Sequence, residues 1–236
     1  MDFQLWHGCC LEEMKKIKDN SIDMILTDPP YGTTACKWDT VIPFEPMWEQ
    51  LKRVTKDNGA ICLFGQNPFT ANLIMGNPKD YKYCWIWDKA KASNFPNAKK
   101  MPLKITENIS VFNVKKYFPQ MVEGVNRVKG GYQSKNELAI NTSGTPRKVN
   151  NLYYPKNILK FSVAGNKDTG KHPTQKPVEL LEYLIKTYTL ENETVLDFTM
   201  GSGSAGVACK NLNRNFIGIE KEEKYFKIAQ ERINMT

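Results

Sequence analysis

Apolar residues in this chain follow two periods that alternate from the N-terminus onward. Phe3 to His7 reads as a short strand, Leu11 to Lys18 as one or two helical turns, and Ser21 to Thr27 as a buried strand. A long loop, Thr33 to Pro46, carries Trp38 and Asp39. Met47, Trp48, Leu51 and Val54 then recur near helical spacing, so Met47 to Lys56 reads as a helix that Asn58-Gly59 ends. Ala60 to Phe64 is a second buried strand, and Asn67 to Met75 a helix with Pro68 in its first turn. Tyr83 to Trp87 and Ile109 to Val114 are strands on either side of a Lys/Asn-rich loop.

Order of the same kind returns after His172. Pro177 to Thr189 places Leu180, Leu181, Leu184, Ile185 and Tyr188 on one helical stripe. A strand (Thr194 to Phe198), a turn (Gly201 to Ser204), a helix (Ala205 to Asn211), a strand (Phe216 to Glu220) and a last helix (Lys221 to Ile233) follow. Strands alternating with helices at this spacing predict an α/β fold with a doubly wound, mainly parallel sheet. The 236 residues suffice for one such domain and a small appendage.

The stretch between these halves differs. Residues 115–170 are polar, basic and rich in Gly, Asn, Ser and Thr. A structureless loop of that length is improbable inside a compact domain, so a small subdomain or functional loop is expected. The chain thus divides into 1–114, 115–170 and 171–236. Residues 113–171 hold eleven basic and three acidic side chains, which is the whole of the net charge of +8. Charge concentrated on one segment favours contact with a polyanion. Its candidate phosphate contacts are Lys115, Lys116, Arg127, Lys129, Lys135, Arg147 and Lys148.

Other classes are disfavoured. No apolar run approaches a membrane span, and Met1-Asp2-Phe3-Gln4 does not open like a signal peptide, so the cytoplasm is the expected compartment. The six cysteines show no Cys-x-x-Cys spacing and only two histidines accompany them, so no metal site is expected. The cysteines read as reduced thiols.

Two loops carry the candidate chemistry. Asp28-Pro29-Pro30-Tyr31 follows the apolar strand Ile22 to Thr27, at the strand end where open α/β sheets hold ligands. It offers a carboxylate, a carbonyl in a loop stiffened by two prolines, and an aromatic ring. Those parts suit a flat ring with an exocyclic amine. The second loop runs from Asp197 to Gly203, a strand end followed by Gly-x-Gly and a helix start. Glu220 ends the next strand, where an acid accepts ribose hydroxyls. Asp197 would repel a pyrophosphate and attract an ammonium, which favours a nucleoside bearing an amino acid over a dinucleotide.

Together these motifs resemble the amino-group DNA methyltransferases, which methylate adenine N6 or cytosine N4. The resemblance covers nearly the whole chain. Asp28-Pro29-Pro30-Tyr31 matches the catalytic motif, and Asp197-Phe198-Thr199-Met200-Gly201-Ser202-Gly203 stands close to the family's Asp-Pro-Phe-x-Gly-Ser-Gly. His172-Pro173-Thr174-Gln175-Lys176-Pro177 precedes the following helix as in the family. The order, with the catalytic motif first, the basic region second and the glycine motif last, is similar to the β group. The resemblance implies a seven-stranded S-adenosylmethionine-dependent methyltransferase fold with a small basic target-recognition insert. It implies S-adenosylmethionine as methyl donor and double-stranded DNA as partner. It also leaves room for a homodimer and a companion restriction endonuclease.

Residue by residue, it implies catalysis by Asp28, Pro29, Pro30 and Tyr31. Donor contacts would come from Asp197, Phe198, Thr199, Gly201, Ser202, Gly203, Glu220, Thr174, Gln175, Lys176 and Cys9, with Lys176 pairing with the donor's carboxylate. Phe198-Thr199 departs from the usual Pro-Phe, and Gly8-Cys9 from the usual Gly-Asp. Aspartate at position 28 favours adenine N6, since cytosine-N4 enzymes more often carry serine there. Methylation of RNA or of a protein glutamine is disfavoured, because those loops read Asn-Pro-Pro-Tyr and follow the glycine motif. Cytosine-C5 chemistry needs a cysteine after a proline, and none of the thirteen prolines has one. A DNA-binding relative without catalysis remains the alternative of another class.

Overall fold

The computed structural model describes residues 1–33, 39–128, 149–163 and 175–236. Two compact units divide the chain: residues 1–118 with 157–236, and residues 119–156.

The larger unit is built on one sheet. Its strands are β1 (Phe3–His7), β2 (Ile22–Thr27), β3 (Thr55–Gly65), β4 (Tyr81–Ser93), β5 (Lys104–Phe112), β8 (Ile158–Lys160), β9 (Thr194–Asp197) and β10 (Asn215–Glu220). Their spatial order is β1-β10-β9-β2-β3-β5-β4-β8. All neighbours pair parallel except β5, which runs antiparallel to both β3 and β4. Among the described residues the sheet therefore has eight strands, where the resemblance implies seven. The addition is β8, from the end of the basic segment. It has three residues, of which only Leu159 is buried, too few to display a period.

Alternation along the strands explains why both faces are covered. On one face Met24, Leu26, Ala60, Cys62 and Phe64 pack with Leu180, Leu184 and Tyr188 of α4 (Val178–Tyr188), and with residues of α5 (Ser204–Asn211) and α6 (Glu223–Met235). On the other face Ile25, Ile61, Leu63 and Leu196 pack with α2 (Phe44–Val54) and α3 (Phe69–Gly76). A short α1 (Cys10–Glu13) precedes β2.

The Asn58-Gly59 pair is not a helix stop. Helix α2 ends at Val54, and β3 runs from Thr55 through both residues. A Cβ on Gly59 would lie 2.7 Å from Thr55 Cγ2 and 2.9 Å from the Asp23 carbonyl. Glycine is needed there because β2 and β3 approach closely at a register shift.

The smaller unit contains β6 (Val122–Val128) paired antiparallel with β7 (Val149–Tyr153). It begins and ends inside the segment delimited by composition, because β8 returns to the main sheet.

Candidate active site

The strands β1, β10, β9, β2 and β3 end on one edge of the larger unit, and a cavity of about 740 Å³ lies there. That volume falls within the range of small-molecule sites. It is bordered at one end by Gly8, Cys9, Gly201, Ser202 and Glu220, and at the other by Trp87, Lys89, Glu107 and Lys176. The Asp28–Tyr31 loop and Asp197–Thr199 border the same space. Two loops 169 positions apart in sequence thus share one cavity, because β2 pairs directly with β9.

The join between the loops is hydrogen-bonded. Thr27 Oγ1 donates to Asp197 Oδ1 and lies 2.8 Å from Thr199 Oγ1. Thr199 in turn donates to the backbone carbonyl of Asp28 at 3.2 Å, and its N–H donates to Asp197 Oδ1 at 3.2 Å. Burial raises the Asp197 carboxyl to about 7; the Thr27 and Thr199 hydrogen bonds oppose the rise.

Within the Asp28 loop, the Tyr31 hydroxyl donates to Asp28 Oδ1 at 2.5 Å, and its ring packs on Phe69 at 5.0 Å between centroids. Burial first, and then the Asp28 carboxylate, pushes the Tyr31 phenol well above its usual range. Gly32 and Thr33 donate their N–H groups to the two oxygens of buried Asp39, each at 2.9 Å. Gly32 has a φ of 69°, and a Cβ there would meet Val41 at 2.9 Å. Asp39 is therefore the clamp that closes the loop behind Tyr31.

The glycine loop is held from below. Glu220 Oε2 accepts from Gly201 N–H at 2.8 Å, and Oε1 accepts from Glu222 N–H at 2.8 Å. A carboxylate has about four lone-pair sites, so both oxygens keep capacity for a ligand. Arg232, buried on α6, donates to the Ser202 carbonyl at 2.6 Å. Ser202 also donates to Gln175 at 3.3 Å. No motif marks Arg232 in the sequence; it stands on a helix and only folding aims it at this loop.

The other residues expected at the site are placed as follows. Gly203 does not border the cavity. Its φ is 77°, and a Cβ would lie 2.9 Å from Ala229 Cβ, so its glycine serves packing on α6. Phe198 borders the cavity but is only 1% exposed, its ring lying in the core with Ile25 and Leu63. The Lys176 ammonium donates to Asp28 Oδ2 and sits 3.4 Å from Glu107 Oε2, so two of the protein's own carboxylates engage it. Lys116 bonds to Glu193 and lies 3.6 Å from Asp23 Oδ1, beside the starts of β2 and β9. That is the sheet edge opposite the cavity, where two of the protein's own carboxylates engage the ammonium. Lys115 is exposed. Thr174, Lys129, Lys135, Arg147, Lys148, Trp38 and the Arg127 side chain lie outside the described residues.

A further basic feature escapes segment-level counting. Residues 89–106 contain five lysines and no acid, yet the part of the chain outside 113–171 is neutral overall. Lys91, Lys99, Lys100 and Lys104 are exposed on the β4–β5 hairpin, and Lys91 borders the cavity.

The sequence model of the N6/N4 DNA methylase family matches residues 22–231. The chain belongs to the DNA methylase family. A Type II methyltransferase of Moraxella bovis, M2.MboI, is 30% identical across 98% of this methylase and 87% of its own length. The solved complex of M1.HpyAVI with S-adenosylmethionine is 28% identical, with a TM-score of 0.65 over 98% of this chain and 99% of that one. The cytosine-N4-specific PvuII enzyme superimposes with a TM-score of 0.68 over 98% of this chain and 86% of its own, at 14% identity, a likeness of fold alone.

The methylase is an S-adenosylmethionine-dependent DNA methyltransferase. The glycine-loop end of the cavity fits that donor. It combines the turn at Gly201, whose φ is 52°, with the carboxylates of Asp197 and Glu220. Among the described residues no helix is long and apolar enough to cross a membrane, and no cluster of metal-ligating side chains occurs.

Proposed function

We propose that the methylase transfers its methyl group to N6 of adenine, flipped from duplex DNA into the Asp28 end of the cavity. One observation carries the reading: an aspartate opens the Pro29-Pro30-Tyr31 loop within the cavity shared with Asp197 and Glu220. Family usage, aspartate in N6 enzymes and serine in N4 enzymes, favours adenine over cytosine.

Asp28 and the carbonyl of Pro29 accept the two amine hydrogens and draw the nitrogen from planar toward tetrahedral. Tyr31 leaves its hydrogen bond to Asp28 and stacks on the base. Asp197 faces the donor's ammonium, Glu220 its ribose, and Cys9 the adenine end. Gln175 and Ser202 bracket the amino-acid portion, and Gly201 allows close approach. When bound, S-adenosylmethionine supplies an electrophilic methyl on sulfur, which the amine nitrogen takes as the C–S bond breaks. One proton then leaves the amine, with Asp28 facing it and water beyond. Positioning and the negative charge of Asp28 lower the barrier.

Exposed lysines of the β4–β5 hairpin and of the basic segment supply phosphate contacts. Kinship to Type II methyltransferases supports a role in restriction-modification. The test is nucleoside mass spectrometry of unmethylated DNA incubated with protein and donor. N6-methyladenine is expected; N4-methylcytosine alone would overturn the assignment.

A further inference from the structure

Lys176 is 9% exposed and sits among groups that hold it from several sides. Its ammonium bonds to Asp28 Oδ2 and lies 3.4 Å from Glu107 Oε2. It also stands 5.1 Å from the centre of the Phe64 ring and 5.9 Å from that of Trp87. Glu107 is itself 9% exposed, and its Oε1 accepts from Lys89 at 3.2 Å. The result is an alternating chain of four charges, Lys89, Glu107, Lys176 and Asp28, along one wall of the cavity. Its geometry is set by pairing: Glu107 of β5 lies opposite Trp87 of β4.

Burying a lysine is costly unless a partner compensates it. Asp28 alone would compensate Lys176, but then the single anion facing the amine would be neutralised by the single cation beside it. Glu107 supplies a second anion for the same ammonium. Its Oε2 has no aligned hydrogen bond, so it acts on Lys176 through charge at 3.4 Å. Burial works against the charge on Lys176, and the two carboxylates outweigh it and raise its pKa. Burial likewise opposes ionisation of Glu107, and Lys176 and Lys89 outweigh it. The ammonium therefore stays charged and cannot receive the proton that leaves the amine.

We propose that Glu107 is a positioning residue for methyl transfer, holding the Lys176 ammonium so that it orients the Asp28 carboxylate while Glu107 carries part of its charge. This deepens the methyl-transfer reading and rests on it, whichever base is the target. Pro29 and Pro30 stiffen the backbone after Asp28 but leave its side-chain torsions free. Lys176 on one oxygen and Tyr31 on the other restrain them. When Tyr31 turns to the base, Lys176 is the remaining restraint, and Glu107 is what keeps it placed.

The test measures single-turnover transfer of labelled methyl groups to unmethylated DNA, with donor affinity by calorimetry. Glu107→Gln keeps the shape and removes the charge. Its transfer rate should fall about tenfold or more, while donor affinity changes less than about threefold. In a Lys176→Met background the same substitution should cost less than about twofold more, because Glu107 acts through Lys176. Glu107→Asp should restore part of the rate. An unchanged rate in Glu107→Gln, or losses that multiply in the double variant, would overturn the proposal. Melting curves identify a variant that fails to fold, in which case Glu107→Asp alone decides between partial and full activity. Wild-type protein that transfers no methyl group to DNA would instead count against the underlying reading.

Discussion

The hydroxyl of Thr199 donates to the backbone carbonyl of Asp28 at 3.2 Å, tying the glycine loop to the Asp28 loop across 171 positions of sequence. The same hydroxyl lies 2.8 Å from that of Thr27, whose own oxygen bonds to Asp197. A family consensus with phenylalanine here would lack this hydroxyl. Thr199→Val removes it at nearly constant volume. Each lost hydrogen bond is worth about 1 kcal/mol. Melting should fall by a few degrees, and methyl transfer should drop about fivefold or more as the loops lose register. Calorimetry beside a transfer assay checks both, and unchanged transfer with lowered melting would make the link structural only.

Asp28→Ala and Tyr31→Ala should abolish methyl transfer yet leave donor affinity within about threefold of wild type. Asp28 bonds to Tyr31 and to Lys176, whereas the glycine loop is held by Glu220 and Arg232. Filter binding with labelled donor and methyl incorporation into DNA separate the two functions. Full turnover in Asp28→Ala would remove the mechanism.

The Asp197 carboxyl has a consequence for pH. Burial holds it at about 7, against an ordinary 3.8. The free native protein therefore binds an extra proton between those values. This contribution to stability is full below about 4 and is lost as pH rises through about 7. The donor's ammonium favours the ionised form, so affinity should rise with pH toward 7, by at most about tenfold per unit. Binding near pH 6.5, just below the value of about 7, should release protons, measurable as a buffer-dependent heat. Asp197→Asn should lose that release. Equal release in both proteins would assign it to another group.

The β4–β5 hairpin predicts a salt effect. Lys99 and Lys100 are exposed on a segment that holds five lysines and no acid between 89 and 106. Lys99→Gln with Lys100→Gln should lower the slope of log affinity against log salt by about one to two, with base preference unchanged. Fluorescence anisotropy with duplex DNA across a salt series measures it. A slope equal to wild type would exclude both lysines from phosphate contact.

Much of the site could be read locally. An apolar strand followed by Asp28-Pro29-Pro30-Tyr31, a strand followed by Gly201-Ser202-Gly203, and Glu220 one step later are short-range patterns. The chain's own stereochemistry ties them to strand ends. Asp39, Lys89, Glu107 and Arg232 could not be found that way. Each is an ordinary charged residue on a loop, strand or helix, and only its partner in the folded chain makes it distinctive. The strand β8 escaped for a related reason, since its pairing with β4 supplies what three residues cannot encode.

Sequence alone determined the order of the elements outside 115–170, the two loops and the chemistry they can offer, because strand periods, prolines and glycine turns act over a few residues. Tertiary structure decided the partners. Lys176 reads equally well as a ligand for a donor's carboxylate, yet Asp28 and Glu107 engage its ammonium. A buried cation takes the nearest anions, and β2, β5 and the segment before α4 meet at that point only when the sheet is assembled.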